Sequence, residues 1–292
     1  MTAEPRSSDG RGAAVGRPEG GAPLIGADSV VLLADVGNTR IKLATITDRG
    51  AVGRLPGVSR RADLLTHDFR AEHLRRWLDA AAAGPAVLLV AAVHERGAVR
   101  LEAAVAEASA TRHRPLRQRR IGRDDLPLEV LVTEPGRVGI DRLAAAAAAA
   151  VVKPAGRPAI VVDCGTAVTV DMVSVEGHFL GGAILPGPGL LARALAEGTS
   201  RLPAVAALDG TRPPPMPGRS TQEAIAAGIG WGLRGAVARL VAEARAASAG
   251  DPFILLTGGS AGVVRDAVPD AIEMPDLVLA GIALATERAC AR

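Results

Sequence analysis

Two stretches of this chain share one layout. LLADVGNTRIKLATI (residues 32–46) and IVVDCGTAVTVDMVS (residues 160–174) each run an apolar strand into Asp-x-Gly with a threonine close behind, then into a second strand of alternating character. Their aspartates, Asp35 and Asp163, stand 128 residues apart, about the length of one domain. A duplication of this kind predicts two similar α/β units, each presenting a strand-turn-strand hairpin to a shared cleft. The length of 292 residues agrees, being more than one hydrophobic core usually organises. The expected division is a disordered tail over 1–28, one α/β domain over 29–153 and a second over 154–292.

Between the hairpins the chain alternates strand and helix patterns. Strands are predicted at 30–34, 41–46, 86–93, 128–132, 158–162, 168–175 and 253–256 from short apolar or alternating runs. Helical spacing covers 67–83, 97–110, 190–197 and 276–291, the last apolar on most sides and so expected to be buried. Seven alanines at 144–150 open a helix beside Asp141 that Pro154 and Gly156 close, because alanine has the strongest helix propensity. Ser220-Thr221-Gln222-Glu223 reads as a capped start for a long helix to about 246. Three segments are predicted as loops: 112–123, 181–189 and the proline-rich 209–219. The first holds Arg112, Arg114, Arg117, Arg119 and Arg120, a solvated loop or an anion-attracting patch.

Composition removes several classes. There is no tyrosine and aromatics are 2% of residues, which argues against base-stacking surfaces for nucleic acid. No unbroken apolar run reaches the roughly 18 to 20 residues of a bilayer span, and the first 26 residues carry no apolar signal region, so no membrane association is expected. Cys164 and Cys290 lie far apart and form neither a metal spacing nor a disulfide framework, as expected of a reducing cytoplasm. His67, His73, His94, His113 and His178 show no ligand spacing either.

The chemistry of the hairpins is specific. In Asp35-Val36-Gly37-Asn38-Thr39 the glycine lets backbone approach a ligand, consecutive amides form an anion-binding nest, and Asn38 and Thr39 add donors. An aspartate at the strand end can then hold a divalent cation beside bound phosphates. The alternative is a β-turn in which Asp35 and Asn38 satisfy backbone groups, and the second copy weighs against it. Gly139-Ile140-Asp141-Arg142 sets a carboxylate able to accept a hydroxyl proton beside a guanidinium suited to carboxylate or phosphate, or else is a helix-start acid next to a surface arginine. Thr257-Gly258-Gly259 after a strand can lie against a flat ligand, and Thr221 is a helix cap or a substrate contact.

Taken in order, DVGNT at Asp35, EPGRVGIDR ending at Arg142, VDCGTA around Asp163, FLGGAILPG from Phe179, the Thr221 helix entrance and TGG at Thr257 resemble the type III pantothenate kinases. These belong to the acetate kinase, sugar kinase and actin superfamily. The resemblance runs from about residue 30 to the carboxyl end. It implies two ribonuclease H-like (actin-like ATPase) domains with a cleft between them, and transfer of the γ-phosphate of ATP to the 4'-hydroxyl of pantothenate with Mg2+. By motif, Asp35, Val36, Gly37, Asn38, Thr39, Arg40, Ile41, Lys42 and Thr166 would hold ATP, and Asp141 would accept the hydroxyl proton. Gly139, Ile140, Asp141, Arg142 and Thr221 would bind pantothenate, Arg142 meeting its carboxylate, while Asp163 would bind a monovalent cation, K+ or NH4+. A homodimer with the site at the subunit boundary is also implied. Val132 stands where many members have a tyrosine, and Cys164 where they have phenylalanine or leucine. Another small acid or sugar as substrate, or an accessory transcriptional regulator using the arginine run, are the alternatives; keeping Asp35, Asp141 and Asp163 together favours catalysis.

Overall fold

A computed structural model describes residues 29–290 apart from 49, 52, 113, 114, 207, 209 and 211. The expected tail over 1–28 lies outside the described residues, as do His113, Arg114 and Asp209.

The duplication is realised strand for strand. β1 (Val30–Val36), β2 (Arg40–Asp48), β3 (Gly57–Leu65), β4 (Ala86–Ala92) and β5 (Leu116–Arg120) form a sheet in the order β3-β2-β1-β4-β5. β6 (Ala159–Cys164), β7 (Ala167–Val173), β8 (Phe179–Pro186), β9 (Phe253–Thr257) and β10 (Ile272–Glu273) repeat it as β8-β7-β6-β9-β10. In each sheet three strands run as an antiparallel meander, and two more join parallel to the first on its other side.

Side-chain alternation along the central strands divides the core into layers. Val31 and Leu33 of β1 face one way, with Val87 and Leu89 of β4, while Leu32, Ala34 and Val36 face the other. The second group packs against α1 (Ala71–Ala81) and α2 (Glu95–Ala110) through Leu74, Leu78, Leu101 and Val105. The first shares its core with Ala159, Val161 and Leu255 of the second sheet, so the two sheets enclose a common middle layer. That layer is α3 (Ile140–Val152) and α6 (Leu277–Leu284). Strands covered on both faces need continuous apolar runs, which is why β1, β4 and β6 read so in sequence.

The alanine run has its reason here. Ala144 to Ala149 are all buried because α3 is enclosed by both sheets and by α6. Small side chains let α6 come close: a Cβ on Gly281 would overlap the carbonyl oxygen of Ala144. The outer face of the second sheet carries α4 (Pro188–Gly198) and α5 (Thr221–Ala247). By length and composition α5 is long and apolar enough to cross a membrane, which run length did not anticipate. Its stripe of Ile225, Ile229, Leu233, Val237 and Val241 is buried against the second sheet, the 3.6-residue pattern of a core-facing helix.

Four expectations are corrected. The arginine run is not a loop: residues 116–120 form edge strand β5, paired parallel to β4, with Leu116 buried. Residues 181–186 likewise belong to strand β8, and only Gly187 remains between it and α4. Residues 128–132 do not form a strand; they attach to Phe179 by an isolated bridge at Val130, with Leu131 N–H donating to Phe179 and Phe179 N–H to Glu129. The last helix breaks at Ala285 into α6 and α7 (Thr286–Cys290), where the Ala285 N–H takes a tighter bond to Ile282. The polar strand β3 had no apolar signal because β3 is a sheet edge.

Candidate functional site

Both Asp-x-Gly hairpins leave their sheets at the same end and meet. In the first, Gly37 N–H donates to Arg40 C=O at 3.0 Å; in the second, Gly165 N–H donates to Ala167 C=O at 2.9 Å, one residue tighter. The tips touch: the Thr39 and Thr166 hydroxyls are hydrogen-bonded at 2.9 Å across 127 positions of sequence. Below them opens a cleft of about 800 Å³.

Ten of the residues expected to hold ATP, pantothenate or a cation line this cleft: Asp35, Gly37, Asn38, Thr39, Arg40, Lys42, Asp141, Arg142, Asp163 and Thr166. Val36 and Ile41 are instead fully buried beneath it, pairing with each other to close the β1–β2 ladder. Gly139 is the N-cap of α3 and Ile140 is half-buried against the middle layer. Thr221 stands exposed in the first turn of α5, outside the cleft, and its helix is capped by Ser220, whose hydroxyl accepts from Glu223 N–H. Of the TGG turn, Gly259 lines the cleft while Gly258, at φ +98°, tucks against Asp163 and Cys164.

The acids form one electrostatic group. Asp35 lies opposite Lys42 across the β1–β2 ladder; burial pushes its carboxyl up to about 7, Lys42 opposes, and Asp141 and Asp163 push further. Burial lifts Asp163 to about 6, again against Lys42 and with Asp141 adding. Asp141 is raised by burial against the pull of its own hydrogen bond from Arg142 N–H, at 2.8 Å, and of the Arg142 charge. Burial acts against the charged form of all three carboxylates, and a cation bound beside them would offset that cost. Among the described residues no three or more His, Cys, Asp or Glu cluster as a metal cage. A divalent cation here therefore fits one or two carboxylates plus oxygens from bound phosphates and water, the habit of Mg2+.

Three residues without any local sequence signal complete the site. Thr66, 1% exposed, buckles the first hairpin: its hydroxyl donates to Gly37 C=O at 2.8 Å and its N–H to Thr39 C=O at 3.1 Å. This turn displaces the start of α1 from the expected residue 67 to Ala71. Asp171, also 1% exposed, accepts from Arg142 Nε at 3.1 Å through both oxygens and again from Nη2. Thr169, two residues before it on β7, lines the cleft and hydrogen-bonds Asp171.

The family model of type III pantothenate kinases matches residues 31–243. A type III pantothenate kinase of Rhodopirellula baltica is 37% identical over 265 residues, covering 84% of this chain and 94% of its own. Another from Janthinobacterium sp. is 35% identical over 256 residues, covering 87% and 96%. Among solved structures, a Campylobacter jejuni chain described as a Baf family transcriptional activator aligns with TM-score 0.52 at 16% identity, over 88% of this chain and 98% of that one. A Sinorhizobium meliloti chain described as a 2-dehydro-3-deoxygalactonokinase gives the same TM-score and identity over 88% and 96%. Those two show the shared fold, whereas the sequence matches run through both hairpins and along nearly the whole length of the relatives, so this chain is a member of the type III pantothenate kinase family.

Proposed function

We infer that the cleft between the two hairpins is the seat of the family's reaction, ATP-dependent phosphorylation of pantothenate, the first step of coenzyme A synthesis. One observation carries this assignment: Asp35, Asp141, Asp163 and Lys42, drawn from both halves of the chain, share one cleft under touching hairpin tips.

The backbone of Gly37, Asn38 and Thr39, held by Thr66, cradles the ATP phosphates with Arg40, Lys42 and Thr166. Val36 and Ile41 serve from beneath, fixing the strands that carry the loop. Asp35 holds the divalent cation, and that ion, when bound, neutralises developing charge on the β- and γ-phosphate oxygens. Asp163 is assigned to the monovalent cation, K+ or NH4+, on the support of its half-buried carboxyl in the cleft wall. At the acceptor end, Asp141 takes the proton from the pantothenate hydroxyl as its oxygen bonds to the γ-phosphorus and the bond to the β-phosphate oxygen breaks. Burial suits it to this task, because a carboxylate raised above its ordinary range is a stronger base.

Gly139, Ile140 and Arg142 frame the pantothenate pocket at the α3 entrance. Thr221, outside the cleft of its own chain, is assigned to the same pocket in a homodimer. Supporting a dimer, Leu131, Leu180 and Ile184 expose apolar side chains along and beside edge strand β8. We divide the chain into two lobes at 153/154, since each sheet is drawn from one half, with α6 returning to pack on β1. We assign the enzyme to the cytoplasm, where ATP is abundant and a free thiol such as Cys164 persists. Nucleic acid is not assigned as a partner: Arg112 pairs with Asp79, Arg119 with Asp125, and Arg120 with Glu95 and Glu102.

The deciding assay follows 4'-phosphopantothenate formation by the purified chain with ATP, Mg2+ and pantothenate, with and without K+ or NH4+. Product formation that needs the monovalent ion and collapses in Asp141→Asn is expected. No product under any of these conditions, or full activity in Asp141→Asn, would overturn the assignment.

A further inference from the structure

Arg142 comes to the cleft already engaged. Its Nε and Nη2 edge is occupied by the Asp171 carboxylate, and its guanidinium carbon lies 5.4 Å from the centroid of the buried Phe179 ring. Nη1 has no partner among the described residues. The clamp is itself held. Thr169 hydrogen-bonds the Asp171 carboxylate, and Gly182, opposite Asp171 in the β7–β8 ladder, brings no side chain over it; a Cβ there would come 2.7 Å from Asp171 Oδ1. A buried carboxylate in two-point contact with arginine fixes the orientation of the planar guanidinium, since the fork has one geometry for such a partner.

We propose that Asp171 is a positioning residue for the phosphate acceptor: by taking the Nε and Nη2 side edge of Arg142, it turns the Nη1 and Nη2 end of the guanidinium to pantothenate beside Asp141. Arg142 then has one edge of its guanidinium bound inside the protein and the N–H groups of its end, on Nη1 and Nη2, left to meet the substrate. This explains why an arginine serves at this place. A lysine ammonium, a point charge with three rotatable donors on a flexible stem, would not be held in one orientation by Asp171. Asp171 does not line the cleft; its charge acts on Asp141 and Asp163, but its hold on the acceptor end passes through Arg142.

The inference rests on the assignment of the Asp141 and Arg142 end of the cleft to pantothenate, and the two can fail separately. Inactivity of the parent enzyme on pantothenate refutes the assignment; the behaviour of variants of an active parent tests the clamp. Asp171→Asn, Arg142→Ala and the double variant are compared by steady-state kinetics with each substrate varied. Asp171→Asn is expected to raise KM for pantothenate about tenfold or more, the worth of a hydrogen bond to a charged group, with KM for ATP changed less than about twofold. In the Arg142→Ala background the same substitution is expected to add less than about twofold, because a residue whose hold on the acceptor passes through its partner has nothing left to hold. A merely structural role gives equal rises in both KM values, or effects that multiply in the double variant; either result, or an unchanged KM for pantothenate, overturns the proposal. Should Asp171→Asn fail to fold, Thr169→Val, which removes one support of the carboxylate, is read instead. It is expected to raise KM for pantothenate about threefold, again only while Arg142 is present.

Discussion

Asp35 lies in β1 with 8% of its surface exposed, and burial lifts its carboxyl from an ordinary 3.8 to about 7 despite Lys42 opposite. A carboxyl whose folded pKa exceeds its unfolded value still holds a proton in the folded chain when the unfolded chain has released it. Stability contributed by this group is therefore full below about pH 4, falls as pH rises from there to 7, and is lost above. The shift of about three units corresponds to about 4 kcal/mol at pH 8, an upper bound for what ionised Asp35 costs the ligand-free fold. Asparagine keeps the shape without the charge. Asp35→Asn is expected to be more stable than the parent by roughly 1 to 4 kcal/mol at about pH 8, with the difference shrinking toward zero near pH 4. Urea unfolding of both chains across this range, without nucleotide or Mg2+, measures it. Kinase activity is expected to collapse in the same variant, since the carboxylate offered to the cation is gone. A stability difference that does not change with pH, or an Asp35→Asn chain that is less stable at pH 8 than at pH 5 relative to its parent, would refute the reasoning.

Asp141→Asn is expected to lower kcat about 10² to 10⁴-fold while leaving pantothenate binding detectable by calorimetry. Because burial raises Asp141, the parent's kcat/KM is expected to fall on acidification at a pH above the ordinary carboxylate value of 3.8, the pH at which the base becomes protonated. Thr66→Val removes the hydroxyl that holds Gly37 C=O and is expected to raise KM for ATP several-fold, about 1 to 2 kcal/mol, with Thr66→Ser close to the parent; equal kinetics in both variants would deny Thr66 its hold on the loop. Gly281→Ala forces α6 away from α3 and is expected to cost about 1 to 3 kcal/mol, read as a shift in the urea midpoint at unchanged slope.

The order of strands and helices around the hairpins is legible because each depends on near neighbours: an apolar run, a turn residue, a helix former. The repeated Asp-x-Gly layout went further, since two copies of one supersecondary unit imply two similar sheets, and both have the same strand order. Where the local signal was charge or glycine, it misled. Residues 116–120 and 181–186 became strands because β4 and β7 offered them open edges, and ladder hydrogen bonds do not depend on which side chains carry them. The buckle at Thr66 and the clamp at Asp171 each lie 29 residues from the groups they hold, with no motif to mark them.

By itself the sequence determined the two hairpins, the alanine helix and the set of acids on offer. Only the tertiary structure decided that Thr39 touches Thr166, that three aspartates share one lysine, and that Arg142 reaches the cleft with one edge already bound. The physical reason is that propensity and pattern act over a turn or two, whereas burial, field and register arise only when the middle layer brings the two sheets together.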